Sequence, residues 1–168
     1  TQPWNAVVLT GEPLRALIAA VAPQVMQGRA GMSVEYPVYP PELEGRYEES
    51  RAGVGEAMYG ALEIPRDNKA GRLAQFIANF RGFDAPVMLF IHTPRYMGPP
   101  QWSDIGMWLQ TVMLLLREEG LDSCAQEAWA AWAAPTPESL AALAARQSFA
   151  LPYVPAAVHR LLQELPDA

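Results

Sequence analysis

The order of apolar and polar positions predicts a strand followed by a helix at the start of the chain. Asn5 to Thr10 is a short apolar run, which indicates a buried strand. Pro13 suits the first turn of a helix, and apolar residues at helical spacing continue to about Val21. We expect Pro23 and Gly28 to end this helix, because neither residue favours a helix interior.

Two further helices and a second strand are predicted in the middle of the chain. Arg46 to Leu62 is helical in pattern, although it contains Gly53-Val54-Gly55, which matches a phosphate-binding loop only weakly. Small residues for close helix packing are the favoured interpretation of that segment. Asp67 can cap a helix that continues to about Asn79. The segment from Asp84 to Thr93 is almost continuously apolar, which indicates a strand covered on both faces.

The run from Ser103 to Gly120 carries apolar side chains on every side of a predicted helix. Ser103 can cap the start of this helix, and Gly120 ends it. A helix of this kind must be buried all round, either at the centre of a monomer or against a partner subunit. Asp104 and Gln110 then need hydrogen-bond partners, because an unpaired buried polar group costs about 1–3 kcal/mol. The pattern alone does not decide whether this helix is buried within a monomer or in a dimer interface.

The sequence changes character after Trp132, where alanine and proline become frequent. Amphipathic runs predict short helices at Glu138 to Gln147 and at Ala156 to Leu165. We therefore expect a folded core over residues 1–134 and a separate helical C-terminal segment over residues 135–168.

Composition narrows the class of protein. Hydrophobic residues make up 51% of the 168 residues and charged residues 18%, which is typical of a globular chain. The net charge of −6 argues against a partner nucleic acid or an anionic membrane surface, since both attract basic faces. The most apolar run, Val112 to Leu116, is far too short to span a bilayer. The chain starts TQPW without methionine, so we interpret it as a fragment or a processed product.

Few side chains suggest chemistry of their own. Cys124 is the single cysteine, so no disulfide can form within the chain, and a reducing, cytoplasmic location is expected. Cys124 is interpreted as a buried small apolar residue rather than a reactive thiol, because no histidine lies near it in sequence. His92 is expected at the surface or in a hydrogen bond, and His159 in solvent. No group of potential ligands has the spacing of a metal site.

Three segments together resemble the FMN-dependent nitroreductase family. They are TQPWNAVVLTG, RLAQFIANFRGFDAPVMLF and MGPPQWSDIGMWLQTVMLLLREEGLDSCAQEAW, in the order and spacing of the family and covering roughly residues 1 to 132. The resemblance implies an α+β fold with a mostly antiparallel sheet flanked by helices. It also implies an intertwined homodimer around the long central helix, with FMN bound at the interface between subunits.

The resemblance also implies which residues contact the flavin. Arg81 matches a family cation near N1 and O2 of the ring, where reduction places negative charge. Asn79 and Gln75 are the neighbouring candidates for the pyrimidine edge. The segment Gln126-Glu127-Ala128 matches the family's source of a backbone N–H close to N5, and the flavin itself carries the chemistry.

Further site residues are expected outside these two segments. Gln2 belongs to a family element that reaches the flavin from the other subunit, of which Gln-Pro-Trp is present here. Tryptophan side chains are mostly expected in the core or at the interface, but Trp102 and Trp129 are candidates to line the pocket for the electron acceptor. For Arg81, a surface salt bridge is the alternative interpretation that ignores the resemblance.

The implied activity is that of an NAD(P)H oxidoreductase. A reduced nicotinamide would give hydride to flavin N5, and a small acceptor such as a nitroaromatic or a quinone would then take electrons in a ping-pong sequence.

The family's N-terminal phosphate-binding element and its C-terminal strand are absent, which predicts weak FMN binding. Arg146 and Arg160 are candidate replacements for the missing basic residues. The alternative is a non-catalytic dimerising relative that has lost tight flavin binding. A third possibility is a family member that dehydrogenates, deiodinates or cleaves the flavin itself.

Overall fold

The computed structural model describes residues 1–26, 38–131 and 137–145. Contacts within the chain define two compact units, which we describe in turn. The first unit contains Thr1–Leu14, Val87–Ala125 and the part after Thr136, and the second contains Arg15–Pro86 and Gln126–Pro135. The elements are β1 (Asn5–Thr10), α1 (Gly11–Met26), α2 (Arg46–Ala61), α3 (Lys69–Ala78), a 3₁₀ segment (Asn79–Asp84), β2 (Val87–His92), α4 (Pro99–Glu118), α5 (Ala128–Ala131) and α6 (Pro137–Ala144).

The sheet of the first unit consists of β1 and β2 in the described residues. The strands are antiparallel, with a register that runs from Asn5 opposite His92 to Thr10 opposite Val87. The predicted bounds of β1 are confirmed, but only Leu9 in this strand is buried and its other residues are half-buried. The second strand begins three residues later than predicted, because Pro86 lacks the N–H that a ladder requires. Its residues are half-buried or exposed, so the expected cover on both faces is not observed in the part of the chain that the structure describes.

Helix α4 begins at Pro99, earlier than predicted. Gly98 is the N-cap residue, and its backbone N–H donates to Oε1 of Gln101 at 3.1 Å. Ser103 lies inside the helix, where its hydroxyl donates to the carbonyl oxygen of Pro99 at 3.2 Å, so its predicted capping role is wrong. Proline is favoured at the first helical position because its missing N–H would have no partner there, which explains the earlier start.

Gly120 ends α4 as predicted. Its φ of 76° is left-handed, a conformation that glycine adopts at little cost. The N–H of Gly120 donates to the carbonyl of Arg117 at 3.1 Å, and the N–H of Leu121 donates to that of Leu116 at 2.9 Å. These two bonds form a Schellman motif, which satisfies carbonyl groups at the end of the helix.

The burial of α4 is one-sided, contrary to the prediction of burial all round. Val112 is buried, whereas Met107 and Leu114 are 63% and 61% exposed. Gln110 is also exposed and needs no partner inside the protein. Asp104 is half-buried, and its Oδ2 lies 3.8 Å from the backbone nitrogen of Thr1. The single chain therefore leaves one face of α4 without cover in the part that the structure describes.

Helix α1 continues beyond its predicted end. It extends to Met26 with Pro23 inside it. Leu17, Val21 and Val25 are spaced by four residues and are all buried, so the buried stripe continues on both sides of the proline. Burial of this stripe outweighs the helix bond that Pro23 removes, which is why the predicted end near Val21 is wrong.

Helix α3 has a different cap from the one predicted. The Oδ1 of Asn68 accepts a hydrogen bond from the N–H of Gly71 at 2.8 Å, which is the usual N-cap contact. Asp67 lies one residue too early to cap a helix that starts at Lys69, so its predicted role is wrong.

Helix α2 has no buried residue. Open space surrounds the Cβ position of its glycines, so the close helix packing expected around Gly53 is not observed in the described residues. Polar contacts attach α2 to the chain that follows it. Nε and Nη2 of Arg66 donate to Glu56 at 3.1 and 3.0 Å, and the guanidinium of Arg72 stacks 4.0 Å from the ring centre of Tyr59.

Helix α6 packs against β1 in the first unit, and its Leu140 is buried. It covers part of the helix predicted from Glu138 to Gln147. The helix predicted at Ala156 to Leu165, and the expected boundary at residue 134, lie outside the described residues. None of the helices in the described ranges has both the length and the apolar character needed to cross a membrane.

Candidate functional site

The C-terminal end of α3 carries two of the predicted site residues. Gln75 and Asn79 are four residues apart, so they lie on the same face of the helix, and both are half-buried. Asn79 is the C-cap residue of α3, and its side-chain amide donates to the carbonyl of Phe76 at 3.0 Å. This face therefore presents polar amide groups at the point where the helix ends.

Arg81 follows directly in the 3₁₀ segment and is exposed. Its Nη2 lies 3.4 Å from Oδ2 of Asp84, with the two side chains 53% and 75% exposed. Exposed ion pairs of this kind contribute about 1 kcal/mol or less, so an anionic ligand can compete for the guanidinium. The surface salt bridge that was the alternative interpretation is thus present and is compatible with ligand binding.

The backbone after Arg81 is left-handed at three successive residues. Gly82, Phe83 and Asp84 have φ angles of 58°, 52° and 61°. Left-handed conformations cost a residue with a side chain about 1–2 kcal/mol, so the rest of the second unit must stabilise this turn. The turn gives Arg81 and Asp84 the separation at which their side chains meet.

The segment Gln126-Glu127-Ala128 belongs to the same unit. Gln126 and Glu127 are exposed and precede α5, and Ala128 is half-buried at the start of that helix. Trp129, the next residue, is only 7% exposed. Its indole Nε1–H donates to the carbonyl oxygen of Asn79 at 3.1 Å. The residue that follows the segment 126–128 is therefore hydrogen-bonded directly to Asn79, which belongs to the other segment predicted to contact the flavin.

Aromatic packing accompanies this bond. The rings of Phe80 and Trp129 are 5.8 Å apart at an interplanar angle of 57°, and Phe76 meets Phe80 edge-on at 5.7 Å. Phe80 is buried, between the half-buried Asn79 and the exposed Arg81 in sequence. Sequence reasoning missed the part played by Phe80 and by Asp84. A signal for Asp84 was its acidic side chain three residues after Arg81, whereas the partner of Phe80 is distant in sequence.

Gln2 lies in the first unit, at an open groove of about 360 Å³. Trp4 and Trp108 also line this groove, and their rings stack 5.6 Å apart at an angle of 15°. Gln2 has a φ of 51°, an uncommon conformation for a residue with a side chain. The groove contains the exposed Met107 as well, so it lies along the uncovered face of α4.

The two tryptophans predicted for the acceptor pocket have different environments. Trp102 belongs to α4 in the first unit and is 54% exposed. Trp129 is buried in the second unit, where its indole N–H is engaged by Asn79. Trp102 thus has surface available to a ligand, whereas most of the surface of Trp129 is used in packing.

The remaining titratable candidates lie in the first unit. Burial lowers the pKa of His92 below its ordinary value, and the negative charge of Glu138 opposes part of that shift. Cys124 is exposed, so the prediction of a buried small residue is wrong; it follows α4 in an extended segment whose residues are exposed. The described residues contain no group of three or more potential metal ligands. His159 lies outside them.

Comparison with known proteins agrees with the fold. The antiparallel strands with flanking helices define an α+β protein, as predicted. The model of the nitroreductase family matches residues 1–157, and the chain belongs to this family. The predicted family resemblance is therefore confirmed.

Solved structures give the same result. The crystal structure of the FMN and NADPH-dependent nitroreductase NfnB from Sphigopyxis sp. strain HMH is 56% identical, with a TM-score of 0.80 over 83% of this chain and 63% of that one. The FMN-dependent nitroreductase NfnB from Mycobacterium smegmatis, solved in complex with NADPH, is 26% identical, with a TM-score of 0.75 over 88% of this chain and 64% of that one.

A curated relative is the 4-nitrobenzoate reductase of Pseudomonas putida, which is 36% identical over 130 residues, or 77% of this chain and 56% of the relative. The nitrobenzene nitroreductase of Ectopseudomonas oleovorans is 33% identical over 77% of this chain and 57% of its own length. The chain thus spans little more than half the length of these curated relatives.

Proposed function

We propose that the chain is the core of an FMN-dependent NAD(P)H oxidoreductase that reduces nitroaromatics, quinones or similar small acceptors. The relatives of known structure are described as FMN-dependent, and two of the curated relatives are named for nitro compounds. The observation that carries the proposal is the hydrogen bond from Trp129 to Asn79, which brings the two predicted flavin-contact segments together in one unit.

The residues present fit the ring of a flavin. The pyrimidine edge offers both donors and acceptors, which the amides of Gln75 and Asn79 can complement. Arg81 supplies a cation whose present partner, Asp84, holds it weakly. In the segment 126–128, Gln126 and Glu127 are exposed and Ala128 is half-buried, and none of the three carries a bulky apolar side chain that would keep the ring from the backbone.

Each of these groups has a separate task in the proposed site. When bound, FMN would take hydride at N5 from a reduced nicotinamide and pass electrons on to the acceptor, in alternate binding events. Arg81 would stabilise the negative charge that reduction places at the pyrimidine edge. Gln75 and Asn79 would fix the orientation of the ring, and the backbone of residues 126–128 would donate toward N5.

The phosphate of FMN carries a charge of about −1.5 to −2, as in other phosphomonoesters. Arg146 and Arg160, the candidate cations for this phosphate, lie outside the described residues.

The proposed enzyme is a homodimer. Met107 and Leu114 are seven residues apart on α4, and both are largely exposed in the single chain. A second copy that covers this face would bury both side chains and would bring its own Gln2 to the interface, since Gln2 lines the groove that contains Met107. This arrangement would also explain why a helix so rich in apolar residues has an uncovered side.

The test is FMN titration of the purified chain, followed by anaerobic addition of NADPH or NADH. Free FMN is itself yellow, so binding is followed by the change in FMN fluorescence during the titration. The enzyme would change this fluorescence, lose its flavin absorbance with the reductant and recover it when 4-nitrobenzoate is added. A chain that leaves FMN fluorescence unchanged would contradict the proposal and favour the non-catalytic alternative. If FMN binds but neither NADPH nor NADH reduces it, the proposed flavin site would be supported and the proposed oxidoreductase activity would be contradicted.

A further inference from the structure

The bond between Trp129 and Asn79 connects residues that are 50 positions apart in the sequence. Its acceptor is a backbone carbonyl at the C-cap of α3, one of the terminal carbonyl groups that a helix leaves to outside partners. Its donor is the only polar atom of the tryptophan side chain. The bond therefore fixes the start of α5 relative to the end of α3 at a single contact.

The hydrogen bond between Trp129 and Asn79 lies among buried aromatic side chains. Trp129 and Phe80 are both buried, and their rings pack at 5.8 Å. A buried indole N–H that lost its acceptor would be left unsatisfied, which is unfavourable in an apolar surrounding. The indole ring is thus held in position by packing, and its N–H determines which backbone group it meets.

Both ends of the bond adjoin predicted flavin contacts. On one side, Asn79 is itself a candidate for the pyrimidine edge, and Arg81 follows two residues later. On the other side, Trp129 directly follows Ala128, the last residue of the segment predicted to donate to N5. The pyrimidine edge and N5 belong to one rigid ring, so the distance between the two protein segments must match the ring.

We propose that Trp129 is a positioning residue, whose indole N–H holds the segment 126–128 at a fixed distance from Asn79 so that both can contact one flavin ring. This inference rests on the proposed function. It gives the buried Trp129 a role that does not require direct contact with the electron acceptor.

The principal variant is Trp129→Phe, which keeps an aromatic ring beside Phe80 and removes the N–H. The control is Phe76→Leu, which removes an edge-on aromatic contact of Phe80 at 5.7 Å but leaves the Trp129–Asn79 bond intact. A second variant, Trp129→His, returns a ring N–H: Nε2 of histidine lies two bonds from Cγ, as Nε1 of tryptophan does. The smaller ring packs less well, so this variant should be less stable than Trp129→Phe while it recovers the bond.

Two measurements are made on each variant: hydrogen exchange of the amides of residues 126–128 without FMN, and FMN affinity by fluorescence titration. Trp129→Phe should exchange faster in this segment and bind FMN about fivefold more weakly, the effect of one lost hydrogen bond. Phe76→Leu should stay within about twofold of the unmodified chain in affinity. Trp129→His should recover affinity and slow exchange despite a lower melting temperature, a combination that general loss of packing cannot produce.

The outcomes separate this inference from the proposed function. Unchanged exchange and affinity in Trp129→Phe would overturn the positioning role even if the unmodified chain binds FMN. If Trp129→His loses FMN affinity and slow exchange together with its stability, the positioning role would also be overturned. An unmodified chain that binds no FMN would overturn the proposed function and, with it, positioning toward a flavin, whatever the exchange rates show. If Trp129→Phe fails to fold, a folded Trp129→His with native exchange and affinity supports the role of the N–H, and one that has lost both contradicts it.

Discussion

The ion pair of Arg81 at the surface restricts the arginine side chain only weakly. Its ion pair with Asp84 at 3.4 Å is exposed on both sides, so solvent screens it. The left-handed turn at residues 82–84 places that carboxylate near the guanidinium without burying either group. A ligand that brings a partial negative charge into a drier environment would interact with the same cation more strongly.

Replacement of Arg81 by alanine tests its assignment to the flavin. We expect Arg81→Ala to weaken FMN binding about tenfold, the effect of a lost charge-assisted hydrogen bond, and to lower the reduction potential of the bound flavin. The melting temperature should change little, because the lost pair is exposed. Titration and potentiometry measure the first two quantities.

A matched control is available in Arg117→Ala. Arg117 is also exposed and also pairs with a nearby carboxylate, that of Asp122 at 2.7 Å. This variant should leave FMN affinity and potential unaltered. Equal effects of the two substitutions would mean that net charge, rather than a contact of Arg81, determines flavin binding.

The environment of His92 predicts a dependence of stability on pH. Because burial lowers the pKa of His92 in the folded chain, the unfolded chain binds a proton more readily. The free energy of unfolding should therefore decrease as the pH falls below about 6.5, the ordinary pKa of histidine, and should be fully present above that pH. Urea unfolding midpoints above and below that pH should differ less in His92→Asn than in the unmodified chain.

Replacement of Glu138 should change the pH dependence of stability in the direction opposite to His92→Asn. Its negative charge raises the pKa of His92, so Glu138→Gln should increase the acid loss of stability. An identical pH dependence in all three proteins would show that His92 is not the group responsible.

At the scale of elements, the sequence predicted which elements exist better than where they end. Strand β1 is confirmed at both ends because Gly11 follows an uninterrupted apolar run. The end of α1 was placed too early, because Pro23 was weighed without knowledge that Val25 is buried beyond it. The start of α4 was placed too late, at Ser103, although the helix begins at Pro99 and proline suits a first helical position.

The N-terminus of α3 offers a test at this scale. Asn68→Ala removes the oxygen that accepts from Gly71, so we expect a loss of about 1 kcal/mol in the free energy of unfolding. Asn68→Asp keeps an acceptor and should retain most of that stability. Asp67→Ala should have little effect, whereas the cap predicted from sequence would make Asp67 the sensitive position. Chemical denaturation of the three variants distinguishes the two assignments.

Residue contacts across long separations could not be predicted from the sequence. The polar candidates Gln75, Asn79 and Arg81 were found through the family resemblance, as was the segment 126–128. Nothing in the spacing of these segments indicated that the indole of Trp129 would meet the carbonyl of Asn79, because that contact depends on how the second unit packs. Exposure of Cys124 was missed for the same reason, since the composition of the segment after α4 does not say what covers it.

At the scale of the whole molecule, α4 is the element that a single chain leaves incompletely covered. The sequence predicted a helix with apolar residues on all sides, and the structure shows that its buried side is built around Val112. Its other side, with Met107 and Leu114, is consistent with the proposed homodimer. Gln110 lies on this same exposed side, so in the proposed homodimer it would need a hydrogen-bond partner at the interface.

Leu114→Glu tests the dimer directly. A charge at the centre of an apolar interface is costly, so the variant should be monomeric at concentrations where the unmodified chain is dimeric. Leu114→Met preserves the apolar character and approximate volume and should remain dimeric. Light scattering coupled to size-exclusion chromatography gives the mass of each. A dimer that persists in Leu114→Glu would place the interface on another surface.

The attachment of α2 has a consequence for the conditions under which the protein stays ordered. Since this helix buries no residue and is joined to the following chain through Glu56, Arg66 and a guanidinium stacked on Tyr59, its hold depends on charges that dissolved electrolyte screens. Added sodium chloride should loosen it while the apolar cores stay intact. Cleavage by trypsin after Arg51, within α2, should then become faster as the ionic strength increases.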